Sequence, residues 1–147
     1  MLLEALIGLL IFSIGILAVI GLQALSIKAV ADAKYRSDAA MLANELMGSV
    51  WGGSKSLGAL QTAYNSPSGT YFTNTWLPAV QNELPGVTPS SNAPSVAVTQ
   101  VVASGLNVIQ VAVTVRWQAP GQSAHSYSTL TQLNCTVTDS VGTACSY

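Results

Sequence analysis

The hydrophobic and polar positions divide this 147-residue chain into stretches of different periodicity. The first stretch, residues 5–22, reads ALIGLLIFSIGILAVIGL and carries no charge, with Ser13 as its only hydroxyl. An α-helix rises about 1.5 Å per residue, so about 18 residues span roughly 27 Å, close to the hydrocarbon thickness of a bilayer. The pattern therefore predicts a membrane-spanning helix near the N-terminus.

The same helix is expected to continue beyond the apolar run, because no proline or glycine follows Gln23 until Gly48. Apolar positions there recur every three or four residues and mark one helix face, while most charged side chains fall outside it. We expect one helix from about residue 1 to residue 51, about 75 Å long, ended by glycines at 48, 52 and 53. The positions on the apolar face are Ala31, Tyr35, Ala39, Leu42, Leu46 and Val50.

Residues 53–94 are rich in Gly, Ser, Asn and Pro and are weakly periodic. We interpret them mainly as an ordered connecting loop that has room for a short helix near Leu57–Tyr64. Large side chains are expected to anchor this loop on the core, because burial of aromatic surface is strongly favourable. The expected anchors are Tyr71, Phe72, Trp76 and Leu77.

The period then changes to two, in segments rich in Val, Thr, Ile and Tyr. Ser95–Ala103, Asn107–Trp117 and Ser126–Asn134 are expected to be strands, with turns at Ala103-Ser104-Gly105 and Ala119-Pro120-Gly121. The order predicts an antiparallel meander of three or four strands. Such a sheet needs a second layer, which the amphipathic half of the helix supplies. The expected fold class is α+β.

Composition argues against several functions. Only 7% of the residues are charged, and residues 53–147 hold just four formal charges, at Lys55, Glu83, Arg116 and Asp139. The basic stripe of a nucleic-acid binder is therefore absent, and a near-neutral surface favours association. His125, the single histidine, has no Ser/Asp constellation or metal-ligand cluster near it in the sequence. We expect no enzyme activity, no metal and no cofactor.

The two cysteines, Cys135 and Cys145, have nine residues between them. A disulfide closing that loop would contribute about 3 kcal/mol on the chain-entropy model and would indicate an oxidising compartment. The alternative is a pair of reduced thiols. No zinc-ligand spacing accompanies them.

Glu4 is the most unusual residue, because a carboxylate at the end of an apolar run is costly in lipid. It is either a side chain that reaches the headgroups or a functional charge with a partner. Gly8 and Gly15 are seven residues apart and so share a helix face, where they would let neighbouring helices approach closely. Ordinary use of small residues in membrane helices is the alternative.

The block MLLEALIGLLIFSIGILAVIGLQALSIKAVADA resembles the N-terminus of mature type IV pilins and pseudopilins, and most closely the minor pilins of the PilV type. The resemblance implies that Glu4 pairs with the N-terminal amine of a neighbouring subunit and that Met1 marks the processed, methylated end. The family's glutamate is the fifth mature residue and here it is the fourth, so either one residue precedes Met1 or processing differs. The family's leader carries basic residues and ends in glycine. Many major pilins have proline where this chain has Gly21, so the helix would be softened there.

The resemblance also implies a domain plan and a function. Residues 1–27 would form the transmembrane and filament-core half of the helix, and 28–147 a pilin head. The head would comprise the helix half 28–52, the loop 53–94, the meander 95–134 and a disulfide-closed loop 135–147. The chain would be a structural subunit of a pilus used in adhesion and twitching motility. It would be a minor pilin that primes assembly or forms part of the tip.

The implied partners are other pilin subunits, the bacterial inner membrane before assembly and a tip adhesin. The head would be periplasmic before assembly and extracellular afterwards. Two alternatives of the same class are a major pilin and a pseudopilin of type II secretion. An alternative of another class is a single-span, membrane-anchored periplasmic binding protein that never polymerises. A cleaved signal peptide fits poorly, since the charged n-region is missing and the helix continues.

Overall fold

The computed structural model describes residues 2–53, 56–103 and 106–134. In chain order, its elements are α1 (Leu2–Gly52), α2 (Leu57–Tyr64), a π-helical turn (Phe72–Trp76), α3 (Leu77–Glu83), β1 (Ser95–Ala103), β2 (Leu106–Trp117) and β3 (His125–Asn134). The fold is α+β, as the sequence predicts. The expected Cys135–Cys145 disulfide and the turn at Ser104-Gly105 lie outside the described residues.

The chain forms two compact units, Met1–Lys34 and Tyr35–Tyr147, which we call the N-terminal unit and the head. From Leu2 onward the N-terminal unit is helical, and its large apolar side chains are exposed. An 18-residue window of α1 near the N-terminus has a mean hydropathy of 2.8 and is 0% buried. The helix is therefore long and apolar enough to span a membrane.

In the head, the last turns of α1 contribute one face to the hydrophobic core. The predicted positions Ala39, Leu42, Leu46 and Val50 are all buried, and Tyr35 is half-buried against the same core. Ala43 and Met47 widen the buried stripe, as expected for a helix that packs on a sheet rather than in a narrow coiled-coil seam. The amphipathic pattern is confirmed there.

The three strands form an antiparallel sheet in the order β1-β2-β3. Val98 of β1 pairs with Val111 of β2, which pairs in turn with Thr131 of β3, so these side chains share one face. From Ile109 to Trp117 that face of β2 is apolar, because side chains alternate across a strand and every second residue there is hydrophobic. Its buried residues are Ile109, Val111, Val113, Val115 and Trp117. They form one core cluster with the buried side chains of α1.

Residues 53–94 differ from the predicted loop, because much of the segment is helical. The short helix expected at Leu57–Tyr64 is present as α2, whose N-cap Ser56 accepts a hydrogen bond from the Ala59 N–H at 3.3 Å. Beyond it, the π-helical turn and α3 were not predicted. Trp76, fully buried in that turn, donates its indole N–H to the Leu42 carbonyl at 2.8 Å. A tertiary contact therefore outweighs the weak local pattern.

The expected anchors of this segment are in place. Phe72 and Trp76 are buried, while Tyr71 and Leu77 pack against the core.

The second predicted turn is also confirmed. The Gln122 N–H bonds the Ala119 carbonyl at 3.1 Å, and Gly121 has a φ of 73°, which glycine adopts without strain.

The outer edge of β1 is capped by residues in α2 and directly after it. Asn65 Oδ1 accepts a hydrogen bond from the Val98 N–H at 3.1 Å, and Gln61 Nε2 donates to the Val98 carbonyl at 3.2 Å. Ser66 completes the cap, since both its N–H and its hydroxyl donate to the Val96 carbonyl, at 2.9 and 3.0 Å. These bonds satisfy strand groups that would otherwise attract another chain.

Candidate assembly surface on the N-terminal helix

Glu4 and the two glycines singled out in the sequence lie on one face of α1. The helix repeats every 3.6 residues, so positions separated alternately by four and three residues stay in line. Glu4, Gly8, Ile11 and Gly15 have these separations and all lie within α1. Gly21 is six residues beyond Gly15, roughly 240° further around the helix, and does not belong to this face.

The glycines on this face leave open space. A Cβ added at Gly8 or at Gly15 would meet nothing within 4 Å outside the helix's own backbone and the neighbouring residues. The isolated chain therefore has no packing requirement for glycine at either position. What glycine provides there is a shallow notch, into which the surface of a second helix can approach.

The helix surface beside this face is apolar over the first turns of α1. One stretch is lined by Leu2, Ala5, Leu6, Leu9, Leu10, Ser13 and Ile14. The hydroxyl of Ser13, the polar group within it, donates to the Leu9 carbonyl at 2.7 Å. Because that bond is made within the helix, Ser13 can enter lipid or a packed helical bundle without an unsatisfied donor.

Glu4 is exposed, and the described part of the chain provides it with no ion pair. In water such a carboxylate is well solvated. In an apolar environment it would lose that solvation, at a cost of several kcal/mol unless a cation approaches. In such an environment, a compensating charge would have to come from beyond the described residues of this chain. Met1, the expected processed end, also lies outside them.

The head contributes features that the sequence pattern missed. A pocket of about 370 Å³ is formed by three separate segments, so no local periodicity could reveal it. His125 stacks on Trp117, with ring centroids 5.8 Å apart and planes inclined by 21°. Within residues 2–53, 56–103 and 106–134, no cluster of three or more His, Cys, Asp or Glu could hold a metal ion.

Comparisons with models of known protein families, with curated proteins and with solved structures gave no match for this chain. Its function must therefore be inferred from its own residues and geometry. The feature with the clearest chemical demand is Glu4, set on the small-residue face of an exposed apolar helix.

Proposed function

We propose that the protein is a structural subunit of a type IV pilus, and more specifically a minor pilin that primes assembly or forms part of the tip. The division of α1 carries this proposal. Its first half exposes apolar side chains all round, whereas its last turns are buried in the core of the head. A helix built in this way must find a second apolar environment, either lipid or other helices.

The proposed cycle moves the N-terminal unit between two such environments. Before assembly, residues 5–22 lie in the inner membrane with the head in the periplasm. In the filament, the same surface packs against the helices of other subunits. Because both environments are apolar, the transfer involves little change in desolvation, and close packing determines which arrangement is favoured. The notch at Gly8 and Gly15 supports close packing.

Glu4 would define the axial position of each subunit. In the filament core its carboxylate would lie at the face of closest approach, next to Gly8. An unpaired charge there is costly, so the favoured stagger is the one that brings the N-terminal amine of a neighbour to Glu4. Removing one partner of a buried ion pair typically costs about 3–5 kcal/mol. This cost would penalise every wrong register.

The proposed partners follow from this arrangement. Other pilin subunits would contact the N-terminal unit, and the inner membrane would hold it before assembly. The head would remain at the filament surface, available to neighbouring heads or to a tip adhesin. A major pilin or a type II secretion pseudopilin would use the same helix chemistry and differ in copy number and location.

The role of Glu4 is tested by Glu4→Gln, which keeps the shape of the side chain and removes its charge. Glu45→Gln is the matched control, since Glu45 is exposed on the part of α1 that belongs to the head. We expect Glu4→Gln to reduce the chain in sheared surface filaments at least tenfold, about 1.4 kcal/mol, at an unchanged membrane level. Wild-type assembly of Glu4→Gln would contradict the register role.

A further inference from the structure

The head contains a preformed pocket that the assembly of the N-terminal helices does not use. Its volume is about 370 Å³. It forms where the segment after α2, the π-helical turn and the chain leading into β1 meet. We call it the proline pocket, and its lining residues are Ser66, Pro67, Phe72, Leu77, Pro89, Ala93, Pro94 and Ser95.

The walls of the proline pocket are mostly apolar and are held in place. Three of its lining residues are prolines, whose fixed φ leaves little backbone freedom to lose on binding. Phe72 is almost fully buried, and Ser66 is bonded to both the N–H and the carbonyl of Val96. Because the site is already ordered, a ligand that binds there causes little loss of conformational entropy in the protein.

A positive charge lies directly behind one wall. Arg116 Nη1 donates to the Ala93 carbonyl at 3.0 Å and contacts Ser95 Oγ at 3.4 Å, and both residues line the pocket. Between Ser56 and Asn134 the sequence contains only two formal charges, Glu83 and Arg116. The guanidinium has five N–H donors, of which these contacts use one nitrogen. The ligand group that complements this charge is a carboxylate.

We propose that the proline pocket is a docking site for a large apolar side chain followed by a carboxylate on a neighbouring protein subunit. The volume is at the lower end of the range for ligand pockets, about 300–1,000 Å³, so it accepts one aromatic side chain rather than a folded element. That the two side chains belong to a neighbouring pilus subunit rests on the proposed function. The apolar-and-acidic chemistry rests only on the pocket and Arg116.

The test uses the full chain in dodecyl maltoside micelles and two blocked dipeptides, N-acetylated and C-amidated: Trp-Glu and its neutral counterpart Trp-Gln. Titration is followed by amide shifts in ¹H–¹⁵N NMR spectra. We expect both peptides to shift the amides of Ser66, Leu77, Ala93 and Ser95, with Trp-Glu binding about threefold tighter, as for a partly exposed ion pair. Shifts that map elsewhere, or equal affinities, would overturn the proposal.

Variants separate the two parts of the site. Ala93→Leu fills the pocket and should abolish the shifts from both peptides. If its spectrum shows an unfolded head, Pro89→Trp, at an exposed position on the rim, blocks the pocket instead. Arg116→Gln should remove the preference for Trp-Glu, and Arg116→Lys should restore it. The peptide titration needs no filament. A negative result there would overturn the docking site and leave the proposed filament assembly untouched. A failure of filament assembly would likewise leave the docking site untouched.

Discussion

Leu46→Ala measures how much of the head's stability comes from the last turns of α1. Leu46 is 0% exposed and lies in the core cluster together with Val111 and Trp76. Truncating a fully buried leucine typically costs about 2–5 kcal/mol, because transfer free energy is lost and a cavity remains. Domains of ordinary size have only about 5–15 kcal/mol of stability, so the loss is a large fraction of the total.

The same substitution at Leu25 is the matched control. Leu25 is on the same helix but is 65% exposed and belongs to the N-terminal unit. We expect Leu46→Ala to lower the Tm of the head by roughly 8–20 °C, at about 4 °C per kcal/mol for a domain of about 100 residues. Leu25→Ala should shift it by less than about 2 °C, since no buried contact in the head is lost.

The assay is thermal unfolding of the full chain in dodecyl maltoside micelles, followed by near-ultraviolet circular dichroism. This signal reports the packing of Trp76 and Trp117, both buried in the head core. Equal shifts for the two leucine variants would refute the division of α1 into an apolar surface for assembly and a buried face for the head.

Two further substitutions test the contacts that hold the head together, each by its Tm in the same micelles. Trp76→Phe should cost about 1–3 kcal/mol, because the hydrogen bond to the Leu42 carbonyl is lost within the core; an unchanged Tm would contradict the role given to this bond. Gly86→Ala should cost at least about 1 kcal/mol, since its φ is +71° and a Cβ there would stand 2.5 Å from the Gln118 carbonyl oxygen. Gly58→Ala is its control, because a Cβ on this α2 residue meets nothing within 4 Å and should stabilise the helix by about 0.5–1 kcal/mol.

The helix and the strands were predictable because their periodicities extend over many residues. The strand expected at Ser95–Ala103 has those bounds, and the one expected to start at Asn107 begins one residue earlier, at Leu106. Long stretches of this kind carry a redundant signal, so a single exceptional residue does not change the outcome.

The π-helical turn and α3 were not predictable in the same way. Their position depends on the hydrogen bond between Trp76 and the Leu42 carbonyl, 34 residues earlier in the chain. The proline pocket has the same origin, since its walls come from three segments. Short elements of this kind depend on tertiary packing, which local pattern does not contain.

For the candidate site, the sequence predicts which residues share a helix face, and the pairing of Glu4 with a neighbouring subunit stays a prediction. The helical repeat alone places Glu4, Gly8 and Gly15 on one face, and α1 has that geometry. The partner of Glu4 is expected on another molecule. No property of a single chain reveals it, and only an assembly experiment can test it.

The most direct test of the proposed function is the location of the wild-type chain. Surface filaments are sheared from cells, purified, and quantified by mass spectrometry against an integral inner-membrane protein as a contamination marker. We predict that the chain is present in the filaments, well above the marker and at low copy relative to the main subunit. Absence from the filaments, with abundant monomer in the membrane fraction, would contradict the account and favour a membrane-anchored binding protein.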